Sequence, residues 1–180
     1  MTNNYHLLLV HFPIALLSLY AFLEILSVSK YLRKKESLEV TKGILLVTGV
    51  VSGFLSETTG EMIQHIISRN DIHLRATLSL HELFASLTVG IFLVLAISYV
   101  ISFMENTPAI RNSKIYTLIR SKIPAFLLSF IFLFEKTTIR IILASAGFLS
   151  VMLTGALGGI LANNCTIDPV TVLVCKVFGL

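Results

Sequence analysis

Charge is what this 180-residue sequence has least of: Asp, Glu, Lys and Arg together make up 13% of it, against 55% hydrophobic residues and a mean hydropathy of +0.87. A soluble domain needs far more polar surface than that. Catalytic signatures are equally scarce. There is no Gly-x-Ser-x-Gly elbow, no His-Glu-x-x-His pair and no glycine-rich phosphate loop, so no hydrolase reading survives. Cysteine is limited to Cys165 and Cys175. Their spacing is neither that of a redox or zinc CxxC pair nor that of a covalent haem attachment. Long linkers, low-complexity runs and internal repeats are missing too, and one domain over residues 1–180 is expected.

What is present is apolar length. Tyr5–Val28, Leu83–Met104 and Ile141–Ala162 are each long enough to cross a hydrocarbon core, which takes about 20 helical residues. A further run, Gly43–Ser56, reaches across only if its helix continues through Glu57, Glu61 and His65. The fold class expected is therefore all-α: an integral membrane four-helix bundle with spans at about 5–28, 43–66, 79–104 and 141–162. The apolar stretch Ile123–Phe134 is too short to span, opens with Ile-Pro and is bracketed by Lys122 and Glu135/Lys136. It predicts an extra short interfacial helix, over about 115–134, between the third and fourth spans.

Basic residues set the orientation, because short cytoplasmic loops collect positive charge. Lys30, Arg33, Lys34, Lys35 and Lys42 fall between the first two spans, and Arg111, Lys114, Arg120, Lys122, Lys136 and Arg140 between the last two. Only Arg69, Arg75 and Lys176 belong to the opposite side, so both termini are expected outside, as is the tail 163–180. The net charge of +4 is a property of these loops and implies no nucleic-acid partner. No basic residue precedes the first apolar run and no Ala-x-Ala site follows it, so that run reads as a span rather than a cleaved signal. On the oxidising side of a bacterial or archaeal cytoplasmic membrane, Cys165 and Cys175 are expected to form a disulfide around the turn signal Asp168-Pro169. Glu24, near the inner end of the first span, is expected to snorkel toward Lys30 and its neighbours.

With depth assigned, the polar residues converge on the outer half of the bundle. His6 and His11 open the first span, Glu57, Glu61 and His65 run up the second, and His81 with Glu82 opens the third. Ionisable groups in apolar helices are functional suspects by default. On the second span Gly49, Gly53, Glu57, Glu61 and His65 advance four residues at a time and form one slanted stripe, small below and ligating above. His6 and His11 cannot share a face, since five residues turn a helix by roughly 140° from a common direction. His11 lies deeper, and Pro13 is expected to bend the helix and aim His11 inward.

The string His6-x4-His11-Phe12-Pro13-Ile14-Ala15-Leu16, with Thr59-Gly60-Glu61, His81-Glu82 and Gly155-x2-Gly158-Gly159, resembles an uncharacterised bacterial and archaeal family of four-helix membrane proteins that opens with an HFPIAL signature. Most of the chain takes part in the resemblance; Asn106–Arg140 looks like an addition to it. Ile160-Leu161-Ala162-Asn163 stands where that family usually shows a Tyr after its glycine pair. Relatives are sometimes joined to Rieske-type and other electron-carrier domains, which implies a redox setting.

The leading functional expectation is a b-type haem, because facing helices of a bundle can each donate an axial histidine. Two imidazoles would fill both axial positions and leave electron transfer as the role, an electron-carrying or accessory subunit rather than a stand-alone catalyst. The expected pair is His11 and His81 with His65 in reserve, while Glu57 and Glu61 hold a second imidazole nitrogen or carry a coupled proton, and Phe54, Phe84 and Phe92 cover the macrocycle. A different class stays open, a non-haem metal or proton/ion site built from Glu57, Glu61 and His65 with His11 and Glu82 opposite. So does a membrane scaffold whose polar groups satisfy one another, a reading that suits His6 and His73 best. The partners expected are the lipid bilayer and redox proteins, with self-association left open.

Overall fold

In the computed structural model, which describes residues 3–29, 36–67, 72–134, 136–163, 165 and 168–180, the chain is an all-α bundle. Its described helices are α1 (Asn3–Leu9), α2 (His11–Leu26), α3 (Glu36–Ile67), α4 (Ile72–Asn106), α5 (Pro108–Arg111), α6 (Lys114–Lys122), α7 (Ala125–Leu133), α8 (Thr137–Asn163) and α9 (Pro169–Phe178). Four stretches are long and apolar enough to cross a membrane: Tyr5–Leu26, Glu36–Met62, Leu74–Asn106 and Thr137–Asn163. Helix is the only regular structure that satisfies every backbone group within one segment, as hydrocarbon requires. The protein is thus a multi-pass membrane protein, and its lipid-facing surface is covered by exposed Leu, Ile, Val and Phe.

The spans begin earlier than the apolar runs alone suggest. Helix α3 starts at Glu36 and α8 at Thr137, about a turn or more ahead of the apolar residues, because charged residues at those ends find partners within the bundle. The region between the third and fourth spans holds two nine-residue helices rather than one. Pro124 separates them: Ser113 caps α6 by accepting from the Tyr116 backbone N–H, and Pro124 opens α7. Helix α7 rests on α4, where the Ser98 hydroxyl donates to the Ile131 carbonyl at 3.3 Å.

Small residues let the helices close, since without a hydrophobic force between apolar helices in lipid, association depends on close packing and polar bonds. Gly49 meets Leu17, Gly53 meets Pro13 and Val89, and Gly147 receives the ring of Phe92, which itself lies edge-on to Tyr20. Leu17, Tyr20, Leu46, Val50, Phe92, Leu95, Ala144 and Val151 form the buried centre. At the end carrying the chain termini, α9 lies across α8 with Thr171, Val174 and Cys175 buried. Asp168 caps α9 in a capping box, and Cys165 is joined to Cys175.

Candidate functional site

The first span breaks at Val10, one turn before Pro13. A proline at position 13 cannot donate to the Leu9 carbonyl, and the interruption appears where that bond is lost. The chain direction is nevertheless kept: Val10 is α-helical in its dihedrals, and the bond from the Ile14 N–H to the Val10 carbonyl survives at 3.4 Å. Because the helix is not re-aimed, the expectation that Pro13 turns His11 inward is corrected. Pro13 and Leu17 face α3, and His6, seven residues before Pro13, shares their face. His11 lies on the opposite, exposed side.

His6 on α1 meets α3 directly. Its Nδ1 lies 3.0 Å from Thr59 Oγ1, and a methyl group on Gly60 would stand only 3.2 Å from His6 Cε1. His81 on α4 meets α8 in the same manner. Its Nδ1 lies 3.0 Å from the Thr154 carbonyl oxygen, and a methyl group on Gly158 would stand 3.3 Å from its Cε1. Each imidazole is laid against a glycine of the neighbouring helix and fastened by one nitrogen.

The bonds also assign the tautomers. A carbonyl only accepts, so His81 carries its proton on Nδ1 and keeps a lone pair on Nε2. Thr59 Oγ1 lies within donating distance of the Leu55 carbonyl at 3.1 Å and the Ser56 carbonyl at 3.0 Å, the usual destination of a helical threonine proton. Its oxygen therefore accepts from His6 Nδ1, and His6 too presents Nε2 as the lone pair. Metal-ligating histidines are typically held this way, the other ring N–H given to a carbonyl or hydroxyl that sets ring orientation and basicity.

Packing contacts place the two rings at one height. Gly49–Leu17, Gly53–Pro13 and Gly60–His6 give the α1/α2 register on α3; Gly43–Tyr99 and Gly53–Val89 carry it to α4; Gly147–Phe92 and Gly158–His81 carry it to α8. Followed round the bundle, His6, Gly60, His81 and Gly158 are level. Glu57 sits one turn below. Its Oε1 is buried without a hydrogen-bond partner, and no other side-chain N or O atom is so placed among the described residues.

The remaining expected site residues fall elsewhere. Glu61 and Glu82 are exposed, and the His65 side chain lies outside the described residues. The expected stripe Gly49-Gly53-Glu57-Glu61 is therefore replaced above Gly53 by Gly60, because spacings of four and then seven stay closer to one face of a straight helix than repeated steps of four. Phe92 belongs to the bundle centre, Phe54 faces lipid, and only Phe84, one turn from His81 and edge-on to Phe178, borders the site. Among the described residues no group of three His, Cys, Asp or Glu side chains could hold a metal ion. His6, Thr59, Gly60, Thr154 and Gly158 carry the geometry in place of His11. Their sequence signal was the seven-residue step from His6 to Pro13, matched by the seven-residue step from Gly53 to Gly60.

A second polar cluster closes the opposite end. Glu24 and Lys42, each 1% exposed, pair at 2.9 Å, and Arg140 Nε lies 2.9 Å from the other Glu24 oxygen. Glu39 pairs with Lys42 and with Arg140 at 3.6 Å, so two carboxylates and two cations alternate round a closed ring. Glu24 thus reaches into the bundle to Lys42 and Arg140 instead of out to solvent, which corrects the snorkelling expectation; Lys30 lies outside the described residues. Comparison with known proteins adds no relative from which a role could be carried over: no family model, curated protein or solved structure matches the chain.

Proposed function

We propose that the protein is a membrane electron-transfer subunit that binds one b-type haem between His6 and His81. The observation that carries this reading is that two histidines from different spans stand level, each with Nδ1 already donated and Nε2 left as a lone pair. A haem would ask two ligands of the protein, and His6 and His81 would supply them without a third ligating side chain. Held by both imidazoles, such a group would supply single-electron transfer.

The chain's own residues have definable tasks. Thr59 and the Thr154 carbonyl fix the two ring planes, and Gly60 and Gly158 allow each ring to approach a helix backbone. Phe84 excludes water on the α9 side. Glu57, one turn below, places a carboxylate oxygen without a described partner beside the site. That oxygen favours a second reading, a proton or non-haem cation site beside the same histidines. By the excess of basic residues in the two other loops, the site is read as lying on the outer side of a bacterial or archaeal cytoplasmic membrane.

The test is a reduced-minus-oxidised optical spectrum of detergent-purified protein expressed with haem precursor, followed by metal analysis of the same sample. Low-spin b-type bands are expected, lost in His6→Ala and in His81→Ala and retained in His11→Ala. A colourless protein with stoichiometric Fe, Mn or Zn would move the assignment to the carboxylate-containing site. Bands that survive His6→Ala but vanish in His11→Ala would refute the ligand pair.

A further inference from the structure

The segment between the third and fourth spans is strongly basic and takes no part in the histidine site. Residues 107–136 hold five cations, Arg111, Lys114, Arg120, Lys122 and Lys136, against one carboxylate, Glu135. Among the described residues only Arg120 of the five is in an ion pair, with Glu105 near the end of α4 at 3.2 Å. That pair holds α6 level with the end of the span. Steps of four residues stay on one side of a helix, so Lys114, Leu118 and Lys122 form a single face, and Arg120 points away from it toward α4. All three residues of that face are exposed, Leu118 at 65%.

Helix α7 reaches deeper. It buries Leu128 and Ile131, and its Ile131 carbonyl accepts from the Ser98 hydroxyl at 3.3 Å. On α4, Ser98 stands seven residues, or about 10 Å of helix, inside Glu105. Phe126, two residues before Leu128 and so on the other side of α7, is 76% exposed. The break at Pro124 therefore places a face of two lysines around a leucine at the end of the span, and an apolar helix running inward beneath it.

Two kinds of surface are left to be covered, and they ask for different things. Water would leave Leu118 and Phe126 against solvent, whereas a neutral lipid would leave two ammonium groups without a counter-charge. A lysine beside apolar side chains keeps its methylene stem in hydrocarbon and lifts its ammonium to the headgroups. By the excess of basic residues this end faces the inner side of the membrane, where the leaflet surface is anionic.

We infer that α6 and α7 form a binding site for an anionic phospholipid, whose headgroup lies against Lys114 and Lys122 and whose acyl chains cover Leu118 and Phe126. The site is remote from the histidines and stands whether or not a haem is bound.

The sequence has no tryptophan, so Phe126→Trp supplies a single fluorophore at the site, and Phe12→Trp, at a position 54% exposed on α2, supplies one at the other end of the bundle. Each full-length variant is reconstituted in phosphatidylcholine vesicles carrying either phosphatidylglycerol or phosphatidylcholine brominated on its chains, which quenches tryptophan on contact. In Phe126→Trp both lipids should quench, with phosphatidylglycerol preferred about tenfold or more at low salt, the effect expected of two cations near an anionic surface. Raised salt should reduce that preference. Adding Lys114→Ser and Lys122→Ser, both at exposed positions outside the bundle, should bring it close to parity with helical circular dichroism unchanged. Phe12→Trp should be quenched equally by the two lipids. Equal quenching in Phe126→Trp, no quenching there by either lipid, a preference untouched by the two serines, or the same preference in Phe12→Trp would each overturn the inference.

Discussion

Glycine-to-alanine substitutions at three helical positions should separate by sign, although the chemistry added is the same single methyl group. At Gly43 on α3 that methyl would overlap the ring of Tyr99, whose hydroxyl donates to the Glu39 carbonyl at 3.1 Å. Either Tyr99 swings away and abandons the bond, or α3 and α4 separate. Overpacking of this kind costs about 1–3 kcal/mol, and the bond contributes about 0.5–1.5 kcal/mol. Replacing a helical glycine by alanine returns at most about 1 kcal/mol. The net expectation for Gly43→Ala is a loss of about 1–3 kcal/mol, or roughly 2–12 °C in midpoint at about 2–4 °C per kcal/mol. Gly90 on α4 and Gly155 on α8 have nothing within 4 Å of an added methyl. Alanine there should be neutral or stabilising by up to about 1 kcal/mol. The assay is thermal unfolding of the three variants and wild type, purified in one detergent and followed by helical circular dichroism. Equal midpoints for Gly43→Ala and wild type, or a marked loss in Gly90→Ala, would show that the α3–α4 approach is not governed by that contact.

Further outcomes follow from the tail and the loops. Reducing the Cys165–Cys175 bond, or Cys165→Ser, removes a loop of sequence separation 10 and should lower stability by roughly 2–3 kcal/mol in the chain-entropy account. Hydrogen exchange should localise the change to α9, with α3 and α4 protected as before. Arg120→Ala breaks the pair with Glu105, whose side chains are 43% and 28% exposed, and should change stability by less than about 1 kcal/mol, an effect that salt erases. Arg140→Ala, by contrast, leaves Lys42 alone to answer two carboxylates, Glu24 at 1% exposure and Glu39. Its loss should be about 3–5 kcal/mol and insensitive to salt, as unfolding scans at low and high ionic strength would report.

The membrane class and the number of spans were legible without coordinates, because a run of about 20 apolar residues has one stable form in hydrocarbon and needs no partner to specify it. That the third and fourth spans are joined by a short helical segment was legible from length, proline and flanking charge, though its division at Pro124 was not. The depth of His6, Glu57 and His81 toward one end was legible too, since depth follows from position along a span. Which histidine faces inward was decided by packing. Gly53 and Pro13 lock α3 to α2, and that contact turns His6 toward Thr59 and His11 toward lipid. The seven-residue step from His6 to Pro13 puts those two residues on one face, but only the contact with Gly53 makes that face the inner one, and the proline beside His11 pointed the wrong way. Glu24 likewise reads as a snorkelling acid from its neighbours in sequence, whereas Arg140, 116 positions away, supplies its second partner. Composition and periodicity settle where a residue lies relative to the membrane. Only the tertiary structure decides what it faces, because the register between apolar helices is set by a few long-range contacts, here glycines against side chains at each level and one ring of charges at the far end.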